Sequence, residues 1–367
     1  MIQIIFTGLS SGKTSIKKVI FDKIPPHEVE LNKEANQYYN SQIYSFGYCK
    51  FNITEFPSSF SFEKNFKESE IFFIKCDILI FVIDYKKYNL STKDQTEFFK
   101  NNILPIINKY KKIYLYIFIH NIDNYNTNNI LQYQYNDDIQ NSIIKTYNEY
   151  NETSNIGEFK IKFFKTSIYN STLYEAFSSI LQNTLIQYKN ISILVEEVCK
   201  NSHMESAYLF DINNKFCLAY YINTLKKVNL FEICLNMIDF AVEIGNIYQD
   251  NDNKSKDNNI NENFDEDMDY SLEMKNFKNG LPDSKNIIFF KYIYKNLALI
   301  SIINKEKYER NHSIDQNNNK EKYERNHSIE HNNNKEKYER NHLIEHNINI
   351  ELNINILKEG IIHIFNK

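Results

Sequence analysis

Four short runs rich in β-branched and aromatic residues constrain this chain's fold more than any other feature. IQIIF at 2–6, CDILIFVID at 76–84 and KIYLYIFIH at 112–120 are nearly continuous in apolar character, and a last run, KIKFFKTSI, follows at 160–168. A strand with one wet face alternates apolar and polar residues. A run apolar throughout is covered on both faces, as in a parallel sheet with crossover helices. Helical spacing fills the intervals: Ile16, Val19, Ile20 and Ile24 lead to Pro25-Pro26, and Leu173, Ala176, Phe177 and Ile180 follow the last run. The pattern predicts a doubly wound α/β domain closing near residue 185.

The first run feeds TGLSSGKTS at 7–15. The usual phosphate loop places four residues between a glycine and Gly-Lys-Ser/Thr. Here only Leu9, Ser10 and Ser11 separate Gly8 from Gly12. Chance is a poor explanation, because the whole chain has 7 glycines where average usage would give roughly 7%. A helix start behind a strand presents unpaired amides and a positive dipole end to a phosphate. Gly8, Leu9, Ser10, Ser11, Gly12, Lys13, Thr14 and Ser15 are therefore candidate nucleotide-binding residues. Lys13 would neutralise the β/γ-phosphates, and the Thr14 hydroxyl would ligate Mg²⁺. The missing residue admits two readings: Thr7 occupies the first-glycine position, or the loop is physically shorter. We expect the first, because a three-residue loop offers fewer amides. The plain alternative is an inert Ser-Gly turn.

A guanine reader is expected at the end of a buried strand. FIHNIDNY carries His120-Asn121-Ile122-Asp123, and an Asp there accepts two hydrogen bonds from guanine and rejects adenine. Without context, Asp123 is a turn cap and His120 a core histidine. Asp84, closing FVID, either caps a turn or reaches the site. A P-loop kinase fits poorly, since no lid-like Arg cluster or acceptor-site acid follows the loop.

At 367 residues the chain exceeds one ordinary domain. AYLFDINNKFCLAYY at 207–221 reads as two strands around an Asn-Asn turn, preceded by a helical stretch around 191–201. Leu230, Ile233, Met237, Ala241 and Ile244 share one helical face. Residues 250–285 read as a disordered polar loop, followed by strands at 286–294 and 297–303. A 15-residue unit, NKEKYERNHSIDQNN, then recurs from 304, 319 and 334. One Ile and one Tyr per copy cannot build a solenoid, so the block at 304–348 is expected to loop out. Its histidines lack metal-ligand spacing. Ile354, Leu357, Ile361, Ile364 and Phe365 form a closing helix, although INIELNINI upstream alternates with period two.

Net charge is −4, no signature of nucleic-acid or acidic-membrane binding. Cys49, Cys76, Cys199, Cys217 and Cys234 form no CxxC pair, and no secretory signal opens the chain, so reduced cytosolic thiols are expected. No apolar run is long enough to span a bilayer. Membrane association would come from a partner or a modification.

In this order, GKTSIKKVIFDKIPPHE, CDILIFVIDY, FIHNID, KTSIYNSTLYEAFSSILQ, ESAYLFD, CLNMIDFAVEIGNIY and NLALISI resemble the Rag GTPases, specifically the C/D-type subunit. The resemblance spans nearly the whole chain apart from 250–285 and the extra repeat copies. It implies a Ras-like G domain at 1–185 and a roadblock-type α/β dimerisation domain at 186–367. It also implies GTP or GDP with Mg²⁺, His120 and Asp123 at the base, and TSI, carrying Ser167 and Ile168, as the last guanine motif. The family further implies pairing with an A/B-type Rag through the C-terminal domain and signalling of amino-acid sufficiency to the target-of-rapamycin complex. Such a protein is cytoplasmic and docks on a lysosomal or vacuolar membrane scaffold. The repeat would extend the family's junction between last strand and last helix, an insertion that loop-closure entropy tolerates.

Several positions depart from the family pattern. The second switch, Asp-x-Pro-Gly-Gln, reads Glu55-Phe56-Pro57-Ser58-Ser59. Glu55 would still reach a magnesium-bound water, but Ser59 stands where a Gln orients the attacking water. Ala35 replaces a metal-binding Thr, and Asn121 replaces the Lys of HKxD. No catalytic residue is therefore assigned. The expectation is a GTPase of very low intrinsic activity; the alternative is a pseudo-GTPase serving as a constitutive dimerisation scaffold.

Overall fold

Three of the apolar runs become central strands of the first of two units, and the last, at 160–168, becomes an edge strand. The computed structural model describes residues 1–31, 38–60, 62, 65–88, 92–122, 130–154, 161–223, 230–252, 286–304 and 350–366. The chain divides into Met1–Phe177 and Ser178–Lys367. Ala35, Asp123, residues 253–285 and nearly all of the repeat block lie outside the described residues.

The first unit runs β1 (Ile2–Thr7), α1 (Lys13–Ile20), α2 (Pro26–Leu31), β2 (Asn40–Ser45), β3 (Lys50–Glu55), α3 (Phe66–Ile74), β4 (Ile78–Asp84), α4 (Tyr85–Tyr88), α5 (Thr92–Phe98), α6 (Leu104–Lys109), β5 (Tyr114–His120), α7 (Ile130–Ser154), β6 (Ile161–Thr166) and α8 (Thr172–Thr184). The chain divides within α8. The sheet order is β2-β3-β1-β4-β5-β6. All neighbours are parallel except β2, which runs antiparallel to β3 at the edge.

The criterion of continuous apolar runs misses β2 and β3. NSQIYS in β2 is mostly exposed, and KFNITE in β3 interleaves polar residues with its buried ones. Helix α1 is also shorter than its periodicity predicts. It caps at Phe21, and Lys23 turns left-handed (φ +59°) so that the Ile24 amide closes back onto the Lys18 carbonyl at 3.1 Å. A left-handed residue after the last turn thus closes the helix end on an earlier carbonyl, and Pro26 then starts α2, the favoured place for proline.

Aromatic rings fill both faces of the sheet. On one face Phe177 meets Phe6, Phe21 and Phe118, with ring centroids 6.2, 5.4 and 5.7 Å away. On the other, Phe56, Phe62, Phe73, Phe81 and Phe99 share a core with Leu115 and Ile117. Register then decides what meets at the carboxyl edge. Phe6 pairs with Glu55, Thr7 with Phe81, and Asp84, His120 and Thr166 stand side by side in one row. The chemistry-bearing ends of five parallel strands thus share one edge, the place where open α/β sheets bind ligands.

The second unit continues with α9 (Tyr188–Asn201), β7 (Ser206–Asp211), β8 (Phe216–Ile222), α10 (Leu230–Asp252), β9 (Asn286–Tyr294), β10 (Leu297–Asn304) and a helix over 350–365, α11. Its strands form an antiparallel sheet in the order β8-β7-β10-β9. The predicted turn between β7 and β8 is present. Asp211 caps the Asn214 amide at 3.1 Å, and Lys215 takes the left-handed conformation. A register shift between Leu209 and Phe210 interrupts the β7–β8 ladder, and the nearby Cys217 backbone is bonded by Ser178 Oγ (2.9 Å) and Gln182 Nε2 (2.9 Å). Phe231 of α10 stacks edge-on to Phe210, and Asn353 of α11 donates to Ser202 at 3.0 Å. One open reading is resolved here and another is corrected. INIELNINI is helical from 350 onward, because Ile350, Ile354, Leu357 and Ile361 all bury at helical spacing. Residues 250–252, assigned above to the polar loop, are the last turn of α10.

Candidate functional site

The phosphate loop is built by two left-handed glycines. Gly8 has φ +138°, and a Cβ there would lie 2.2 Å from the Val82 carbonyl oxygen. Gly12 has φ +85°, and a Cβ there would lie 2.8 Å from the His120 ring. Both positions exclude any side chain on conformational and steric grounds. Thr7 does not take the first-glycine role expected of it. It belongs to β1, paired with Phe81, so its φ/ψ and its ladder bonds are committed to the sheet. Gly8 is the pivot, and the loop is truly one residue short.

Lys13 opens α1 and donates to the Gly8 carbonyl at 2.5 Å, closing the loop on itself. Its side chain is buried, and burial lowers its pKa to about 8, with Glu55 pulling in the opposite direction. The Thr14 hydroxyl donates to the Glu55 carboxylate, which is 2% exposed at the end of β3. Ile16 N–H meets the Gly12 carbonyl at 3.0 Å, so helical bonding begins at once. No acidic residue stands in the first turn of α1 to neutralise its dipole. Leu9 is half-buried, Ser10 is exposed and left-handed at φ +43°, and Ser15 is half-buried behind the loop. The Ser11 hydroxyl is buried and makes no hydrogen bond.

The base side is partly visible. His120 is fully buried, its Nδ1 3.0 Å from Thr166 Oγ1 and its ring edge against Gly12. It thus supports the loop floor as well as ending β5. Asn121 is left-handed at φ +66°. The Ser167 amide donates to Thr172 Oγ1 at 3.0 Å, its hydroxyl accepts the Tyr169 amide at 3.1 Å, and Ile168 is buried. Ser167 is therefore a turn-former before α8. Asp84 caps the Lys86 amide at 3.0 Å.

The segment after β3 has a different character. Phe56 extends the pairing of β3 with β1 through the Phe6 carbonyl (3.0 Å) and is fully buried. Its ring lies 4.8 Å from Phe60, 5.0 Å from Phe62 and 5.4 Å from Phe72. A turn from Pro57 to Phe60 leaves Ser59 exposed and Ser58 half-buried.

Motif reading missed one contact. Lys87, one turn beyond β4, donates to the Ser10 carbonyl at 3.1 Å. A lysine in a polar stretch carries no signal that it will reach a loop 77 residues earlier in the chain. Among the described residues, no cluster of three or more His, Cys, Asp or Glu is arranged to hold a metal.

Comparison with known proteins follows the same lines. Residues 3–238 match the Gtr1/RagA G protein conserved region. Over 319 residues the chain is 27% identical to Ras-related GTP-binding protein D of Mus musculus, covering 86% of this chain and 65% of that protein. It is 26% identical over 319 residues to Ras-related GTP-binding protein C of Homo sapiens, 86% of this chain and 73% of that one. It is 29% identical over 318 residues to GTP-binding protein gtr2 of Schizosaccharomyces pombe, covering 86% of this chain and 94% of its length.

Proposed function

The chain belongs to the Gtr1/RagA family of G proteins, and on that premise we propose that it is the guanine-nucleotide-binding, C/D-type subunit of a Rag heterodimer. One observation carries this reading. At the carboxyl edge of a parallel sheet, two left-handed glycines, a buried lysine and a hydroxyl–carboxylate pair converge at a helix start, an arrangement suited to a diphosphate. The names of the similar proteins, all GTP-binding, support guanine over adenine. Asp123 is proposed as the base reader, beside His120, Ser167 and Ile168.

Magnesium fits in part. Thr14 and Glu55 offer adjacent oxygen donors, the type a hard cation takes while retaining waters. Bound there, the metal would supply charge neutralisation at the phosphates. Residues of this chain then decide turnover. Ser59 is exposed and short, so no side chain from that position orients a water, and hydrolysis is very slow.

The second unit is proposed as a roadblock-type domain, with the boundary near 185/186, that pairs with an A/B-type Rag. Through that pair the protein reports amino-acid sufficiency to the target-of-rapamycin complex at a lysosomal or vacuolar scaffold. No helix among the described residues is long and apolar enough to cross a membrane, so recruitment from the cytoplasm is peripheral. The second reading, a nucleotide-free scaffold, is favoured by the shortened loop, whose lysine is already bonded to the Gly8 carbonyl and whose threonine is already bonded to the Glu55 carboxylate. The full chain, purified with its partner and denatured, is tested by chromatography of the released small molecules. Two equivalents of GDP or GTP per heterodimer support the switch; a single equivalent, the A/B-type partner's own, leaves the scaffold.

A further inference from the structure

Lys87 reaches the loop from outside every nucleotide-binding motif. Its ammonium donates to the Ser10 carbonyl at 3.1 Å and lies 3.8 Å from the carboxylate of the buried Asp84. Asp84 is in turn fixed by the Lys86 amide at 3.0 Å. We propose that Lys87 is a positioning residue of the phosphate loop, holding the Ser10–Ser11 peptide in its working orientation and adding a cation to a loop that has lost one amide.

The geometry supplies the reason. Ser10 is left-handed at φ +43° without being glycine, a conformation that persists only when neighbours hold it. Among the described residues no peptide bond is cis. A trans peptide points its carbonyl and the following N–H in opposite directions. Anchoring the Ser10 oxygen on Lys87 therefore turns the Ser11 amide away from Lys87. Lys13 does the same to the Gly8 oxygen at the other end of the loop. Two ammonium groups thus bracket the backbone between Gly8 and Gly12, one buried and one at the rim. The inference rests on the phosphate-loop reading, and its test separates the two.

The first measurement needs no nucleotide. Amide hydrogen exchange of the 7–14 segment is followed by mass spectrometry in the full chain and in Lys87→Met and Lys87→Arg. Lys87 is 56% exposed, so both variants should keep the parent's melting temperature. Faster exchange in Lys87→Met, restored in Lys87→Arg, is expected; equal exchange in all three overturns the proposal. The second measurement is release of a fluorescent GDP analogue. Lys87→Met should release it about tenfold faster at low salt, the loss expected for a charge-assisted hydrogen bond, and the gap should shrink at high salt because the ammonium is at the surface. Equal release rates also overturn the role of Lys87. A parent chain that binds no analogue while the exchange difference persists would instead remove the nucleotide-switch reading and leave Lys87 as the holder of the loop.

Discussion

The phosphate loop and the segment after β3 lie at the same sheet edge, yet different forces hold them. Between Gly8 and Thr14 the structure is polar and backbone-driven: left-handed glycines, two ammonium groups on carbonyls, a hydroxyl on a carboxylate. Around Phe56 it is aromatic packing, with Phe60, Phe62, Phe72 and Phe73 gathered about its fully buried ring. On the proposed reading, the loop keeps the groups that would bind phosphate charge, while the other segment keeps its core contacts and lacks the side chain that would act on water. Binding and turnover would then be separable in this site, because they would rest on different residues with different physical tolerances.

The largest expected effect is on the polar half. Lys13→Ala removes the only buried ammonium on the loop and should lower GDP affinity by about 100-fold or more, as loss of a buried charge-assisted partner does. Retained affinity by calorimetry would take the loop out of the site. Phe56→Ala probes the other half. Deleting a fully buried Phe should cost about 3–5 kcal/mol, read as a lower denaturant midpoint, with comparatively little change in the GDP affinity of the remaining folded protein. If affinity instead collapses while stability holds, the two halves are not separable.

Protons sharpen the comparison further. The unliganded Lys13 has a pKa of about 8 against an ordinary 10.5. Between those values the unfolded chain binds more protons than the native one, so stability of the unliganded protein should rise with pH across that window. A bound phosphate restores the charge. GDP binding above pH 8 should therefore take up a proton and weaken as pH rises, measurable by calorimetry in buffers of different ionisation enthalpy. Pure Lys13-independent binding would show no such uptake.

The smallest effect is reserved for the serine that stands where a glutamine is expected. Ser59→Gln alone should leave single-turnover hydrolysis within about twofold of the parent, since the metal side of the site is also depleted. The pair Ser59→Gln with Ala35→Thr should exceed either single change. A large gain from the glutamine alone would mean that the magnesium position is better built than the residues indicate.

Much of the first unit was legible because burial on both faces leaves a compositional trace. β1, β4 and β5 announce themselves as continuous apolar runs, and Gly8 and Gly12 stand out in a glycine-poor chain. β2 was not legible, since an edge strand with a wet face resembles a polar loop, and β3 was not, since polar residues interrupt its buried ones. The role of Thr7 was misjudged for a related reason: spacing counts residues, but only the ladder to Phe81 shows where the strand stops. The closing helix was readable at Ile354, Leu357 and Ile361 and ambiguous at its start, where periods of two and of three to four coincide over a few residues.

By itself the sequence determined the class of the first unit, the order of its elements and the glycines of its loop, because backbone conformation and two-sided burial are local demands that residue types must meet. Tertiary structure alone decided that Gly8 is the pivot, that His120 floors the loop, and that Lys87 bonds to Ser10. These are distances between residues far apart in the chain, fixed by sheet register and packing, and no local pattern records them.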